Sequence, residues 1–157
     1  GQPWQRIVLL KSYDEDGFIF FTNYTSNKGQ HFAENPKASL HFSWLVQERQ
    51  VQVQGTVSKI SREETEAYFH SRPRESQIGA CASKQSQPLE NRAVLESIVA
   101  EFSEQYEGAE IPVPDHWGGY RLSPTRLEFW QGGAARLHDR LEYIHEEGGW
   151  TKVRLNP

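Results

Sequence analysis

The hydrophobic positions change period several times along the chain. Arg6-Ile7-Val8-Leu9-Leu10-Lys11 is an apolar, β-branched run that predicts a strand, and Phe18 to Asn23 predicts a second. Asp14-Glu15-Asp16-Gly17 between them is a turn with glycine available for positive φ, so residues 6–23 read as a hairpin. Ser26 is placed to cap a short helix through Phe32 and Ala33, ended by Asn35-Pro36. Ala38 to Leu45 and Gln50 to Ile60 predict two further strands. In the second, Val51 and Val53 alternate with polar residues, and a phase slip after Gly55 suggests a bulge.

Ser61-Arg62-Glu63-Glu64 has the pattern of a capping box and opens a helix running to about His70. Pro73 stops that helix and suits the first turn of the next, Pro73 to about Ser83. Leu95, Ile98, Val99, Phe102 and Tyr106 recur at steps of three and four and mark one apolar stripe on a helix over roughly Asn91 to Tyr106. After a proline-rich connector, Tyr120–Leu122, Arg126–Trp130, Arg140–His145 and Trp150–Leu155 predict four strands. The last two are joined by a Glu146-Glu147-Gly148-Gly149 turn. Strands, then helices, then strands indicate an α+β fold with an antiparallel sheet, curled into a barrel. No repeat or linker divides the 157 residues, which read as a single domain, 1–157.

Composition narrows the function classes. Hydrophobic residues make up 36% and aromatics 12%, enough to order a core, so a disordered chain is excluded. The formal charge of −4 argues against a nucleic-acid binder, leaving room only for a local anion site. Apolar runs of four residues are far short of the ~20 that span a membrane, so no membrane partner is expected. The single cysteine, Cys81, forms no internal disulfide and suits a reducing, cytoplasmic location. The six histidines are scattered without ligand spacing, so no metal is expected. There is no methionine even at position 1, so Gly1 is not a native translation start.

Three segments carry candidate chemistry. Tyr68-Phe69-His70-Ser71-Arg72-Pro73-Arg74-Glu75-Ser76 gathers arginines, serines and a tyrosine at a helix start. There, unpaired N–H groups and guanidinium forks suit a phosphate, though a solvated, capped turn accounts for them equally. Glu128 to Arg140 follows a strand, contains Gly132-Gly133, and offers Trp130 for stacking, Arg136 and His138. Its residues alone also read as a hairpin loop with surface charges. Arg6 and Lys11 flank four apolar residues, aimed at one anion or simply marking strand ends.

Taken together, RIVLLK (6–11), FFTNYTSNKG, ERQVQVQG, YFHSRPRESQIGACASKQS (68–86), HWGGYRL, EFWQGGAARLHDR (128–140) and the closing RLNP resemble the FMN-dependent pyridoxamine 5′-phosphate oxidase family. The matches follow the family's order over almost the whole chain. The resemblance implies a split β-barrel and a homodimer with two FMN sites at the subunit interface, each using both chains. By position it places the substrate phosphate on Lys11, Tyr68, Arg72 and Ser76. The substrate ring falls beside Arg136, Leu137 and His138, with Arg136 and His138 as the catalytic pair. FMN contacts fall on Arg6, Ile7, Val8, Leu9, Leu10, Lys11, Phe21, Thr22, Asn27, Lys28, Gln50, Gln85, Ser86, Trp130 and Arg140. The family usually carries arginine where this chain has Asn27, which predicts a weaker hold on the FMN phosphate. Family members also carry further N-terminal residues, including the barrel's first strand, so the chain reads as truncated relative to them.

The implied reaction oxidises pyridoxamine 5′-phosphate and pyridoxine 5′-phosphate to pyridoxal 5′-phosphate, with hydride passing to FMN and O2 reoxidising it to yield H2O2. Two alternatives are a related split-barrel flavin oxidase with another substrate, such as the phenazine-pathway oxidase, and a non-catalytic FMN- or pyridoxal-phosphate-binding protein. A purely structural domain would leave the clustered arginines, tyrosine and serines unexplained.

Overall fold

The computed structural model describes residues 2–157. Seven strands alternate with four helices in the order β1 (Leu10–Asp14), β2 (Gly17–Asn23), α1 (Asn27–Glu34), β3 (Lys37–Trp44), β4 (Arg49–Lys59), α2 (Arg62–Ser71), α3 (Arg74–Ala82), α4 (Arg92–Gln105), β5 (Trp117–Gln131), β6 (Asp139–Glu146) and β7 (Gly149–Leu155). Short 3-10 turns occupy Leu45–Gln47 and Ala134–Arg136. The strands form one sheet in the order β1-β2-β5-β4-β3, with β6 added to β5 and β7 to β6. The β3–β4, β5–β6 and β6–β7 pairs are antiparallel. This is the α+β, antiparallel architecture that the hydrophobic pattern predicts.

The helix ends obey local chemistry. Ser26 accepts from Gly29 N–H to cap α1, and Asn91 accepts from Val94 N–H to cap α4. At α2 the capping box is complete, with Ser61 and Glu64 satisfying each other's backbone N–H. Pro73 sits one place earlier than expected, at the cap of α3 rather than inside it.

Three strand expectations are corrected. Residues 6–9 form no strand; β1 begins at Leu10 and runs to Asp14, with only the Glu15-Asp16 turn before Gly17. Ile7 and Leu9 point outward while Val8 and Leu10 are half-buried, a strand-like alternation without a ladder. No bulge interrupts β4 at Gly55 on its β3 side, where the register runs unbroken from Lys37↔Thr56 to Trp44↔Arg49. Val53, Gly55 and Val57 all face inward, so Gly55 occupies the inward position itself. The two strands predicted around Ser123-Pro124 are one, β5, fifteen residues long.

The chain forms two compact units. One comprises the segment ending at Lys11, Ile19–Asn35 and Lys59–Tyr120; the other comprises Ser12–Phe18, Pro36–Ser58 and Arg121–Pro157. The first unit holds all four helices and a core of Phe69, Ile78, Ile111, Val113 and Trp117. The half-buried stripe of α4, including Val99 and Phe102, packs on that core together with Tyr106 at the helix end. In the second unit Val53, Val57 and Leu122 are buried, and Phe18 lies 6.1 Å from Phe42.

Candidate functional site

The first unit contains a cleft of about 360 Å³. Ile7, Val8, Leu9 and Lys11 form one side of it, Phe21 and Thr22 of β2 and Lys28 of α1 another. Tyr68 and Arg72 from the end of α2, Pro73 and Ser76 from the start of α3, and Gln85 complete the lining. None of these residues is acidic, while three are cations.

Among the described residues, none of the three cations pairs with a carboxylate. Lys28 is buried, and its Nζ donates to Thr22 Oγ1 at 2.7 Å, Gln85 Oε1 at 2.7 Å and Ser26 Oγ at 3.2 Å. Burial, with the Arg6 charge adding to it, pulls its pKa down to about 8. Thr22 also donates to Gln85 Oε1, so the Gln85 carbonyl faces both the threonine and the lysine. Arg72 ends α2, with its backbone N–H bonded to Phe69 O and its carbonyl accepting from Gln77 Nε2 at 2.9 Å. Its Nη1 is buried with no hydrogen-bond partner. Desolvation pushes the Arg72 pKa down. Lys11 Nζ lies 5.9 Å from the Tyr68 ring, and Tyr68 stacks on Phe21 at 3.9 Å.

The second unit contains a cleft of about 210 Å³, lined by Ser43, Trp44, Leu45, Glu48, Arg49, Gln50, Trp130, Gly132, Gly133 and His138. Its wall at 132–138 is held in an uncommon backbone shape. Ala135 and Arg136 are consecutive non-glycine residues at φ 55° and 64°, and Glu48 beside Gly132 lies at φ 51°. Such conformations persist only where surrounding bonds fix them, and they cluster at functional sites. Here Gly132 N–H donates to Glu48 O at 2.7 Å and Leu137 N–H to Ala134 O at 3.1 Å. Gln131 Nε2 reaches Gln47 O at 3.2 Å, while its Oε1 accepts from Arg49 Nε at 2.7 Å. Gly133 N–H donates to His138 Nδ1 at 3.2 Å, so the neutral imidazole carries its proton on Nε2. The His138 ring lies 4.6 Å from Trp130.

The sequence-based residues thus fall into two groups. Ile7, Val8, Leu9, Lys11, Phe21, Thr22, Lys28, Tyr68, Arg72, Ser76 and Gln85 line the first cleft; Gln50, Trp130 and His138 line the second. Arg6 acts on the first cleft through its charge on Lys28. Leu10, Asn27 and Ser86 neighbour lining residues in sequence without lining the cleft themselves, and Ser86 adopts φ 71°. Arg136 and Leu137 are exposed on the strained loop. Arg140 is engaged by Glu128, at 2.7 Å and 3.0 Å, and by the Asn156 carbonyl at 3.1 Å. Pro73, Trp44, Glu48 and Arg49 line clefts that the motifs did not assign to them, and the Gln131 clamp was likewise unread.

Comparisons with known proteins find relatives along the whole chain. A family model described as pyridoxamine 5′-phosphate oxidase matches residues 1–106. A second, described as the pyridoxine 5′-phosphate oxidase C-terminal dimerisation region, matches residues 117–157. A pyridoxine/pyridoxamine 5′-phosphate oxidase of Paraburkholderia phymatum is 60% identical, over 100% of this chain and 74% of its own length. One from Trichormus variabilis is 52% identical with the same coverage. Among solved structures, PhzG of Burkholderia lata 383, in complex with tetrahydrophenazine-1-carboxylic acid, superposes with a TM-score of 0.91. It is 32% identical, and the match covers 97% of this chain and 74% of that one. A pyridoxamine 5′-phosphate oxidase-related, FMN-binding protein of Nostoc punctiforme shares the fold at a TM-score of 0.77 and 16% identity, over 100% of this chain and 82% of its own.

Proposed function

The chain belongs to the pyridoxamine 5′-phosphate oxidase family, and from that premise we propose how its residues serve the reaction. The protein is an FMN-dependent oxidase with the split-barrel fold, converting pyridoxamine 5′-phosphate and pyridoxine 5′-phosphate to pyridoxal 5′-phosphate. Bound FMN would supply the acceptor for the hydride that leaves the substrate C4′ carbon, with O2 as the final electron acceptor and H2O2 as its product. The amine substrate also consumes water and releases ammonia.

One observation carries the assignment: a cleft without acids, holding three cations, one of them with a buried N–H group that no protein atom accepts. A buried donor left unpaired is costly, and a phosphate oxygen supplies the missing acceptor. Lys11, Tyr68, Arg72 and Ser76 bind the substrate phosphate, spending remote binding energy on orienting the reacting carbon. Lys28, Thr22 and Gln85, with Arg6, Phe21, Asn27, Ser86 and the 7–11 segment, hold FMN. In the second unit Gln50, Trp130 and Arg140 are further FMN contacts in this reading, and Glu128 orients Arg140. Arg136, Leu137 and His138 flank the substrate ring. His138, with Nδ1 occupied by Gly133, presents Nε2–H as a donor to it. The match to the dimerisation region supports a homodimer. FMN at its interface, and a cytoplasmic location, complete the reading. Among the described residues no helix is long and apolar enough to cross a membrane.

The test is anaerobic. Protein loaded with FMN and freed of excess flavin is mixed with pyridoxamine 5′-phosphate and followed by visible absorbance. Bleaching that recovers in air is expected. Yellow protein that does not bleach overturns the substrate assignment. Bleaching by a dihydrophenazine carboxylate alone would instead favour the chemistry of the phenazine-type relative.

A further inference from the structure

We propose that Trp117 is a positioning residue for the substrate phosphate, its indole face holding the Arg72 guanidinium in place while leaving the guanidinium's N–H groups free. This rests on the reading of Arg72 as a phosphate-binding residue. Arg72 Cζ lies 4.6 Å from the centre of the Trp117 ring and 5.7 Å from that of Phe69. A buried guanidinium is ordinarily kept charged by a carboxylate. That partner would occupy the same N–H edges that a phosphate needs. An aromatic face attracts the cation through its π electrons instead and leaves the donor edges open, and indole does this best. The unpartnered, buried Nη1 is what such an arrangement produces.

Trp117 is itself tightly placed. It is buried, stacks on Phe21 at 5.3 Å and 18°, and meets Phe69 edge-on at 5.2 Å. Its backbone N–H donates to Pro114 O at 3.0 Å. Phe21 in turn stacks on Tyr68. One slab, Tyr68–Phe21–Trp117, therefore sets both the tyrosine and the arginine of the phosphate group. Gln77 fixes the backbone beneath Arg72 from the other side.

The experiment compares W117F, which keeps an aromatic face, with W117M, which keeps bulk but no face, and with R72A. Flavin-loaded protein is titrated with pyridoxal 5′-phosphate, with inorganic phosphate as competitor. KM, kcat, flavin retention and Tm are measured alongside. W117M is expected to raise Kd and KM about tenfold, and W117F about threefold, with smaller changes in kcat and flavin retention. Wild-type affinity in W117M, with R72A about a hundredfold weaker, overturns the inference and leaves the phosphate reading standing. Wild-type affinity in R72A overturns both. Equal losses in affinity, kcat and flavin retention in W117F and W117M would reduce Trp117 to a core residue and also overturn it. Should W117M fail to fold, W117F decides, because an unchanged Kd there contradicts the proposal.

Discussion

Lys28 donates from Nζ to three neutral oxygens, those of Thr22, Ser26 and Gln85. Its pKa of about 8 in the folded chain, against 10.5 for an ordinary lysine, means that the unfolded chain binds the extra proton between those values. Stability of the flavin-free protein therefore rises as pH climbs from about 8 towards 10.5, and Lys28 adds no pH dependence below 8. A dianionic phosphate favours the charged lysine, so FMN binding takes up a proton above pH 8 and its affinity moves the opposite way. Titration of the protein into FMN, followed by flavin fluorescence from pH 7 to about 9.5, is expected to show Kd rising above pH 8 by up to about tenfold per unit. Lys28→Met is expected to weaken binding at neutral pH and to flatten that slope. A slope unchanged in Lys28→Met would remove the lysine from the phosphate site. Lys28 and Arg72 were legible because each sits in a long motif. Trp117 beside Arg72 was not, since only the fold brings two residues so far apart in sequence into contact.

At the scale of elements, local chemistry was the readable part. The caps at Ser26, Ser61 and Asn91 use hydrogen bonds within four residues, so their helices begin where the pattern places them. Strand limits depend on partners elsewhere in the chain and were read less well. Ser123-Pro124 resembles a break, yet β5 continues through it because its neighbours change along its length. Gly17 of β2 lies against the Leu122 carbonyl, and β6 pairs only from Arg126 onward. Conversely, 6–9 has strand composition, but no ladder in the described residues reaches it. Gly55 shows the same limit. The absent side chain resembled a slip in phase, whereas it admits the backbone of Ser123, whose carbonyl oxygen a Cβ would overlap. Gly55→Ala is accordingly expected to cost about 1–3 kcal/mol and lower Tm by about 2–12 °C, read by calorimetry. A Tm within a degree of wild type would show that the two backbones separate without penalty.

Across the whole molecule, apolar surface is left uncovered where a monomer would hide it. Phe129 and Val153 are 44% and 42% exposed, and both lie in the stretch that matches a dimerisation region. Leu45 and Val46, in the turn between β3 and β4, are exposed almost completely. Large side chains of this kind are stable in water when a second copy covers them. The carboxylates of the β5–β6 pair point to the same economy. Glu128 stands directly opposite Glu142, and each is neutralised within the chain, by Arg140 and Arg126 respectively. That pairing brings no net charge to the strands carrying Phe129. The protein is therefore expected to sediment at twice the chain mass. Phe129→Asp combined with Val153→Asp places two carboxylates against a covered surface and is expected to shift the species to monomer at micromolar concentration. If FMN is held at the interface by both chains, flavin and dimer are lost together, in the same concentration range, when sedimentation is followed at protein and flavin wavelengths. A monomer that keeps its flavin would confine the cofactor site to one chain.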